Sequence, residues 1–205
     1  MCRMLVIISY ICLGLLSICT VAIANPLVEQ PSPSLNADIY KIEVVIFEHT
    51  ESDRFAHEHW PQFVGELNLN KAIDWESLKA HSTTLNSEMR ILRSSKSERL
   101  IKHFAWEQAI SNNTKSTPVY VKIGAEPEVQ SVFTVKPNRN MFNVKVDLIY
   151  NLQDKDKNIA PEVNAIRVTR DVKLKKKELY YLDHPVIGLL LQITPIDKVK
   201  QQPVN

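Results

Sequence analysis

From residue 103 onward the chain is a train of short apolar segments broken by turn residues. That rhythm limits its possible folds more than any other feature. His103–Gln108, Pro118–Ile123, Val129–Val135, Met141–Asn151, Ala165–Leu174 and Gly188–Ile193 each have the length and branched or aromatic content of a strand. Val144, Val146, Leu148 and Tyr150 fall on one face of their segment. Ile166, Val168, Val172 and Leu174 do the same, with Arg167, Asp171, Lys173 and Lys175 opposite. Such alternation belongs to antiparallel strands with one buried face. Upstream, Tyr40–Glu48 alternates and then turns apolar on both faces, which predicts a central strand. Residues 54–93 read as helical but irregular, with a broken stripe of Ile73, Leu78, Leu85, Met89 and Leu92. Ser95-Lys-Ser-Glu98 has the form of a capping box, predicting a short helix from near Ser95 to just before His103. One strand, then helices, then a run of strands predicts one α+β domain: mainly antiparallel sheet with a few helices, not a βαβ repeat.

The ends bound this domain. Arg3, an apolar run from Met4 to Val21 and Ala22-Ile23-Ala24 make residues 1–24 a secretory signal, cleaved after Ala24. An uncleaved inner-membrane anchor is the competing reading, since the run is long enough to span a bilayer. Residues 25–38, with Pro26, Pro31 and Pro33, form an extended tether, 39–196 the domain, and 197–205 a polar tail. Cys2, Cys12 and Cys19 all lie inside the signal, so the exported chain has no thiol for a disulfide, a nucleophile or a cysteine metal site. Gly65, Gly124 and Gly188 are too scattered for a phosphate-binding loop, and no Ser-x-x-Lys or Gly-x-Ser-x-Gly occurs. Charge is uneven: residues 29–110 hold nine Lys/Arg against thirteen Asp/Glu, and residues 111–205 hold fifteen against ten. That balance argues against nucleic acid as a partner and suits docking one end on an acidic surface.

Several groups invite a chemical reading. Asp183-His184-Pro185 forms a turn in which Pro185 fixes the backbone and Asp183 hydrogen-bonds forward to brace it. The same pair could orient an imidazole for base catalysis, but no nucleophile motif accompanies it. Trp106 and Gln108 share one face of their strand and His103 takes the other, so an exposed Trp106 beside an amide is a candidate sugar platform. A core Trp with its N–H satisfied has the same spacing. Lys173, Lys175, Lys176 and Lys177, with Arg167 and Arg170, form a basic band: either an anion-docking surface or a solvated sheet face guarding an edge. Glu43, on a buried strand, reads first as a structural ion pair. His57-Glu58-His59, with His49 upstream, raises a metal site, although His-x-His diverges on a helix.

Glu178, Leu179, Tyr181, Asp183, His184, Pro185, Gly188, Ile193 and Pro195 resemble the C-terminal signature of the CsiV family, periplasmic peptidoglycan-binding proteins of gammaproteobacteria. Tyr180 stands where that family usually carries histidine. His103, Trp106 and Gln108 fit the family's His-x-x-Trp-x-Gln segment, and Tyr40, Glu43, Phe47 and Glu48 its opening strand. The resemblance implies a non-catalytic periplasmic protein that binds peptidoglycan and supports wall synthesis. Its implied partners are an outer-membrane lipoprotein activator and a bifunctional penicillin-binding protein. The candidate ligand-binding residues are then His103, Trp106, Gln108, Lys173, Lys175, Lys176, Lys177, Tyr181, Asp183 and His184, with no cofactor, metal or catalytic group. A protein–protein adaptor of the envelope and a wall hydrolase remain as alternatives.

Overall fold

The computed structural model describes residues 37–51, 53, 60–111, 115–126, 128–153 and 163–196. The signal, nearly all of the tether, His57-Glu58-His59 and the tail lie outside them. The described residues all belong to one compact unit, Pro33–Asn205. In chain order it runs β1 (Ala37–His49), β2 (Ile73–Asp74), a 3-10 turn (Trp75–Ser77), α1 (Asn86–Ser94), β3 (Glu98–Ser111), β4 (Val119–Ile123), β5 (Val129–Asn138), β6 (Met141–Asn151), β7 (Ala165–Lys175), β8 (Leu179–Leu182) and β9 (Ile187–Pro195). Two sheets result, one ordered β3-β1-β9-β8 and one ordered β2-β4-β5-β6-β7. Every pair is antiparallel except the two-residue pairing of β2 with β4. The α+β architecture expected from the segment pattern is therefore the one observed.

The sheets pack face to face. Tyr40, Ile42, Val44 and Ile46 of β1 share one core with Phe133 and Val135 of β5, Val144, Val146, Leu148 and Tyr150 of β6, and Ile166 and Leu174 of β7. A period of two divides each strand between core and outside, so the alternating sequences end up half-buried. β1 differs because its other face is covered as well. Val45 and Phe47 meet Leu85 and Met89 on the far side of the first sheet. That explains why the strand reads as apolar on both faces.

The middle of the chain departs from expectation. Between residues 60 and 85 the described chain holds the β2 pairing and the 3-10 turn, and the single α-helix among the described residues starts at Asn86. Gly65 and Lys71 both sit at positive φ (69° and 60°), which no continuous right-handed helix can contain. The expected helix after Ser95 is also absent. Ser95 is the residue that ends α1, and β3 begins at Glu98. The reciprocal backbone bonds of a capping box do not form: the Ser95 N–H closes α1 on the Ile91 and Leu92 carbonyls, while its hydroxyl donates to the Glu98 carboxylate and accepts the Ser97 N–H inside a turn. Pairing with β1 decides the outcome, since Glu48 faces Arg99 and His49 faces Glu98 across the sheet.

Glu43 fixes α1 to the sheet. Its carboxylate, fully buried, accepts from the backbone N–H groups of Thr84 (2.7 Å) and Leu85 (2.9 Å), the Thr84 hydroxyl (2.8 Å) and Lys41 Nζ (2.7 Å). His103 Nε2 lies 2.8 Å from it. A helix start leaves N–H groups without intrahelical partners. Here a strand carboxylate satisfies two of the donors just ahead of α1. Burial by itself would raise the pKa of Glu43. Lys41, the Leu85 N–H, His103 and Thr84 outweigh it and hold the group at about 2. Because the folded pKa lies below the ordinary value of 4.5, this contribution to stability is complete above about pH 4.5 and is lost as the pH falls toward 2. Glu43→Gln leaves Lys41 buried without its counter-charge and should cost about 3–5 kcal/mol in urea melts at pH 7. The gap from the native protein should narrow as the pH drops from 4.5 toward 2. A variant with an unchanged midpoint would show that the network is not what secures the helix.

Candidate functional site

The C-terminal signature forms β8, a turn and the start of β9. Phe47 lies directly over Gly188, its cross-strand partner, so that a Cβ at position 188 would overlap the ring. The backbone of Gly188 is not at positive φ, so close packing is what requires the glycine. Tyr181 stacks on the other side of this arrangement, with ring centroids 6.1 Å apart and planes 16° apart. Its hydroxyl donates to Asp183 Oδ1 at 2.8 Å. Burial raises the phenol pKa, and the hydrogen bond and negative charge of Asp183 raise it further. Tyr181 remains 46% exposed, and Leu179 beside it 38%. His49 lies between the carboxylates of Asp183 (3.8 Å) and Glu98 (3.9 Å).

Asp183 and His184 point apart, as neighbours in an extended segment do. Asp183 faces solvent. His184 is buried against Trp60, with centroids 5.6 Å apart. The forward brace across the turn is supplied by His184 rather than by Asp183: its Nδ1 accepts the Val186 N–H at 3.3 Å. Burial, then the positive surroundings of Arg170 and His49, lower its pKa to about 4 against the pull of Asp183.

Of the two readings of Trp106, the structure has the core Trp with its N–H satisfied and not the sugar platform. Trp106 is fully buried, stacked on Phe104 and tilted against Phe133 at 5.8 Å each. Its Nε1–H donates to Gln108 Oε1 at 3.3 Å, and Gln108 Nε2 donates to the Thr117 carbonyl at 2.7 Å. The two therefore form a polar pair inside the core, and a sugar has no indole face to meet. His103 lies on the opposite face, in the Glu43 network.

The lysines fare differently. Lys173 and Lys175 lie exposed on the outer face of the second sheet. Strand register sets Lys136 of β5 and Lys173 of β7 on either side of Asn143, and places Lys145 of β6 one row along, beside Asp171. Among the described residues none of these lysines makes an ion pair. Lys176 and Lys177 occupy the β7–β8 turn, Lys176 Nζ lying 5.5 Å above the Tyr40 ring and Lys177 adopting φ 66°. Arg167 does not join the band. It grips Asp147 through two bonds of 2.8 Å and reaches the Val64 carbonyl at 2.9 Å. Lys136 and Lys145 were missed in the sequence because only the register brings them beside Lys173. Their sole local signal is an outward position between apolar neighbours.

The sequence candidates thus occupy three places: the core, the outer face of the first sheet, and the outer face of the second. Among the described residues no cluster of His, Cys, Asp or Glu is arranged to hold a metal, and no helix is long and apolar enough to cross a membrane. A family model described as "Peptidoglycan-binding protein, CsiV" matches residues 64–196, and the chain belongs to that family. The match contains the His103 segment and the whole C-terminal signature, while β1 lies ahead of it. Neither the curated proteins nor the solved structures include a match.

Two consequences follow for stability. Gly188→Ala should destabilise by about 1–3 kcal/mol, since the added methyl must displace Phe47 and Tyr181. Phe47→Leu in the same chain should recover part of that loss in a double-mutant cycle. His184 stays neutral in the folded protein down to about pH 4, below its ordinary value of 6.5. Its contribution is therefore complete above about 6.5 and disappears as the pH falls through about 4. His184→Gln should flatten that part of the pH–stability curve, measured by thermal melting between pH 4 and 7.

Proposed function

We propose that this protein is a non-catalytic periplasmic binder of peptidoglycan, which it holds through the lysine face of the second sheet. The observation that carries the reading is the convergence of Lys136, Lys145, Lys173 and Lys175 from three adjacent strands, with Asp171 beside Lys145 and the next acid on that face, Asp147, already paired with Arg167. Lysine is a compact point charge on a flexible stem, suited to many carboxylates in varied positions rather than one bidentate ligand. Wall stem peptides present such carboxylates. Lys176 and Lys177 extend the field at the β7–β8 turn. Family membership supplies the polymer, and the face supplies the charge that suits it. In this reading Tyr181, with its ring braced by Phe47 and its hydroxyl by Asp183, adds an exposed aromatic contact. The link to wall synthesis, through a lipoprotein activator of a bifunctional synthase, rests on the family resemblance.

The test is sedimentation of the purified exported protein with sacculi. Changing Lys136, Lys145, Lys173 and Lys175 together to Gln should abolish most of the binding with little change in melting temperature. Binding by the native protein should weaken with added salt, because exposed charges are screened over about 8 Å at physiological ionic strength. Unchanged sedimentation of the quadruple variant would remove the lysine face from the reading. Failure of the native protein to sediment would favour a protein–protein adaptor. Release of soluble muropeptides, lost on His184→Gln, would make it a hydrolase.

A further inference from the structure

On the opposite side of the sandwich, α1 and β3 border an open hollow of about 640 Å³. That size falls within the roughly 300–1,000 Å³ of small-ligand sites. Its walls include Asn86, Met89, Arg90, Arg93 and Ser94 from α1 and His103 from β3. Arg90 and Arg93 are three residues apart on the helix, so their side chains emerge on neighbouring positions of one face. Both are exposed, and among the described residues neither guanidinium makes an ion pair. No acidic side chain lines the hollow. The nearest buried carboxylate, Glu43, is already saturated by Lys41, Thr84, Leu85 and His103 beneath the floor. The hollow is therefore cationic, with hydroxyl and amide groups at Ser94 and Asn86.

We infer that this hollow is a discrete subsite for one carboxylate-terminated peptide end, gripped by Arg90 and Arg93 with His103 at its floor. The inference rests on the wall-binding reading, which makes the free carboxylate of a peptidoglycan stem peptide the ligand. Paired guanidinium groups match the two oxygens of a carboxylate, and charge-assisted bonds of that kind are the strong ones. Asn86 can hydrogen-bond the adjoining amide, and the Ser94 hydroxyl, which donates to the Ile91 carbonyl, can still accept from it. The lysine face holds many carboxylates loosely. This hollow takes one and fixes its orientation.

The experiment uses the purified exported protein with a soluble disaccharide–tripeptide muropeptide, and with the same muropeptide amidated at its peptide carboxylates. Titration followed by the imidazole nitrogen signals of His103 reads the site directly. The free acid should shift those signals. Arg90→Gln with Arg93→Gln should weaken its binding by about tenfold or more, with the melting temperature preserved, and amidation should weaken binding to the native protein equally. Equal affinity for acid and amide, or an unaltered affinity in the double variant, overturns the subsite. Sacculus sedimentation of the native protein separates the two ideas. If it sediments while the titration is negative, the hollow is empty of function and the wall reading stands. If it neither sediments nor binds the muropeptide, both fall.

Discussion

A single carboxylate in the middle of the first sheet holds the outer layer of this protein in place. Glu43 lies on a strand covered on both sides, where an uncompensated charge would cost several kcal/mol. Its oxygens meet Lys41, Thr84, Leu85 and His103, so the charge is both neutralised and hydrogen-bonded. The same bonds satisfy N–H groups at the start of α1 and hold the helix above Val45 and Phe47. Without that cover, the second apolar face of β1 would be exposed to water. Conformation is set by this polar cluster, and most of the favourable energy comes from the apolar area that it brings together.

A second buried acid works at the other end of the same strand. Glu48, fully buried, accepts from Arg99 Nε at 2.5 Å, and Arg99 also reaches Glu128, which leads into β5. One guanidinium thus joins the first sheet to the second. The two acids of β1 divide the work: Glu43 faces outward and holds the helix, and Glu48 faces the sandwich and ties the sheets. Period-two alternation makes that division possible, since residues five apart point to opposite faces.

How much of this could be read from the chain depends on whether the deciding contact was local. Met141–Asn151 was legible to the residue, because Val144, Val146, Leu148 and Tyr150 alternate cleanly over a core. Tyr40–Glu48 was legible as a central strand for the same reason. The position of α1 was not, because the Thr84 and Leu85 N–H groups just ahead of it are met by a carboxylate some forty residues away and Leu85 supplies no side-chain cap. Ser95 and Glu98 meet through their side chains only, without the backbone bonds of a capping box, since Ser95 closes α1 and strand pairing with β1 takes Glu98. Trp106 and Gln108 were placed on the correct common face, but alternation could not say which face was inside. Strand β8 escaped notice because Leu179–Leu182 is short and shows no alternation. Of the candidate site, the lysine cluster was visible only in its local half.

The C-terminal signature makes sense as a stack rather than a catalytic group. Gly188 is small because Phe47 occupies the space a side chain would need. Phe47 is held there from above by Tyr181 and from the helix side by Leu85 and Met89. Asp183 fixes the Tyr181 hydroxyl, and His184, turned inward, fixes the bend that lets β8 return as β9. A base catalyst needs its imidazole to reach a substrate proton. His184 is buried, with one nitrogen committed to the Val186 N–H, so the Asp-His pair divides into a surface acid and a core brace. What the signature offers to the outside is the edge of a tyrosine ring and a carboxylate. Both lie on the outer side of the first sheet, so any contact they make is separate from one made at the lysine face of the second.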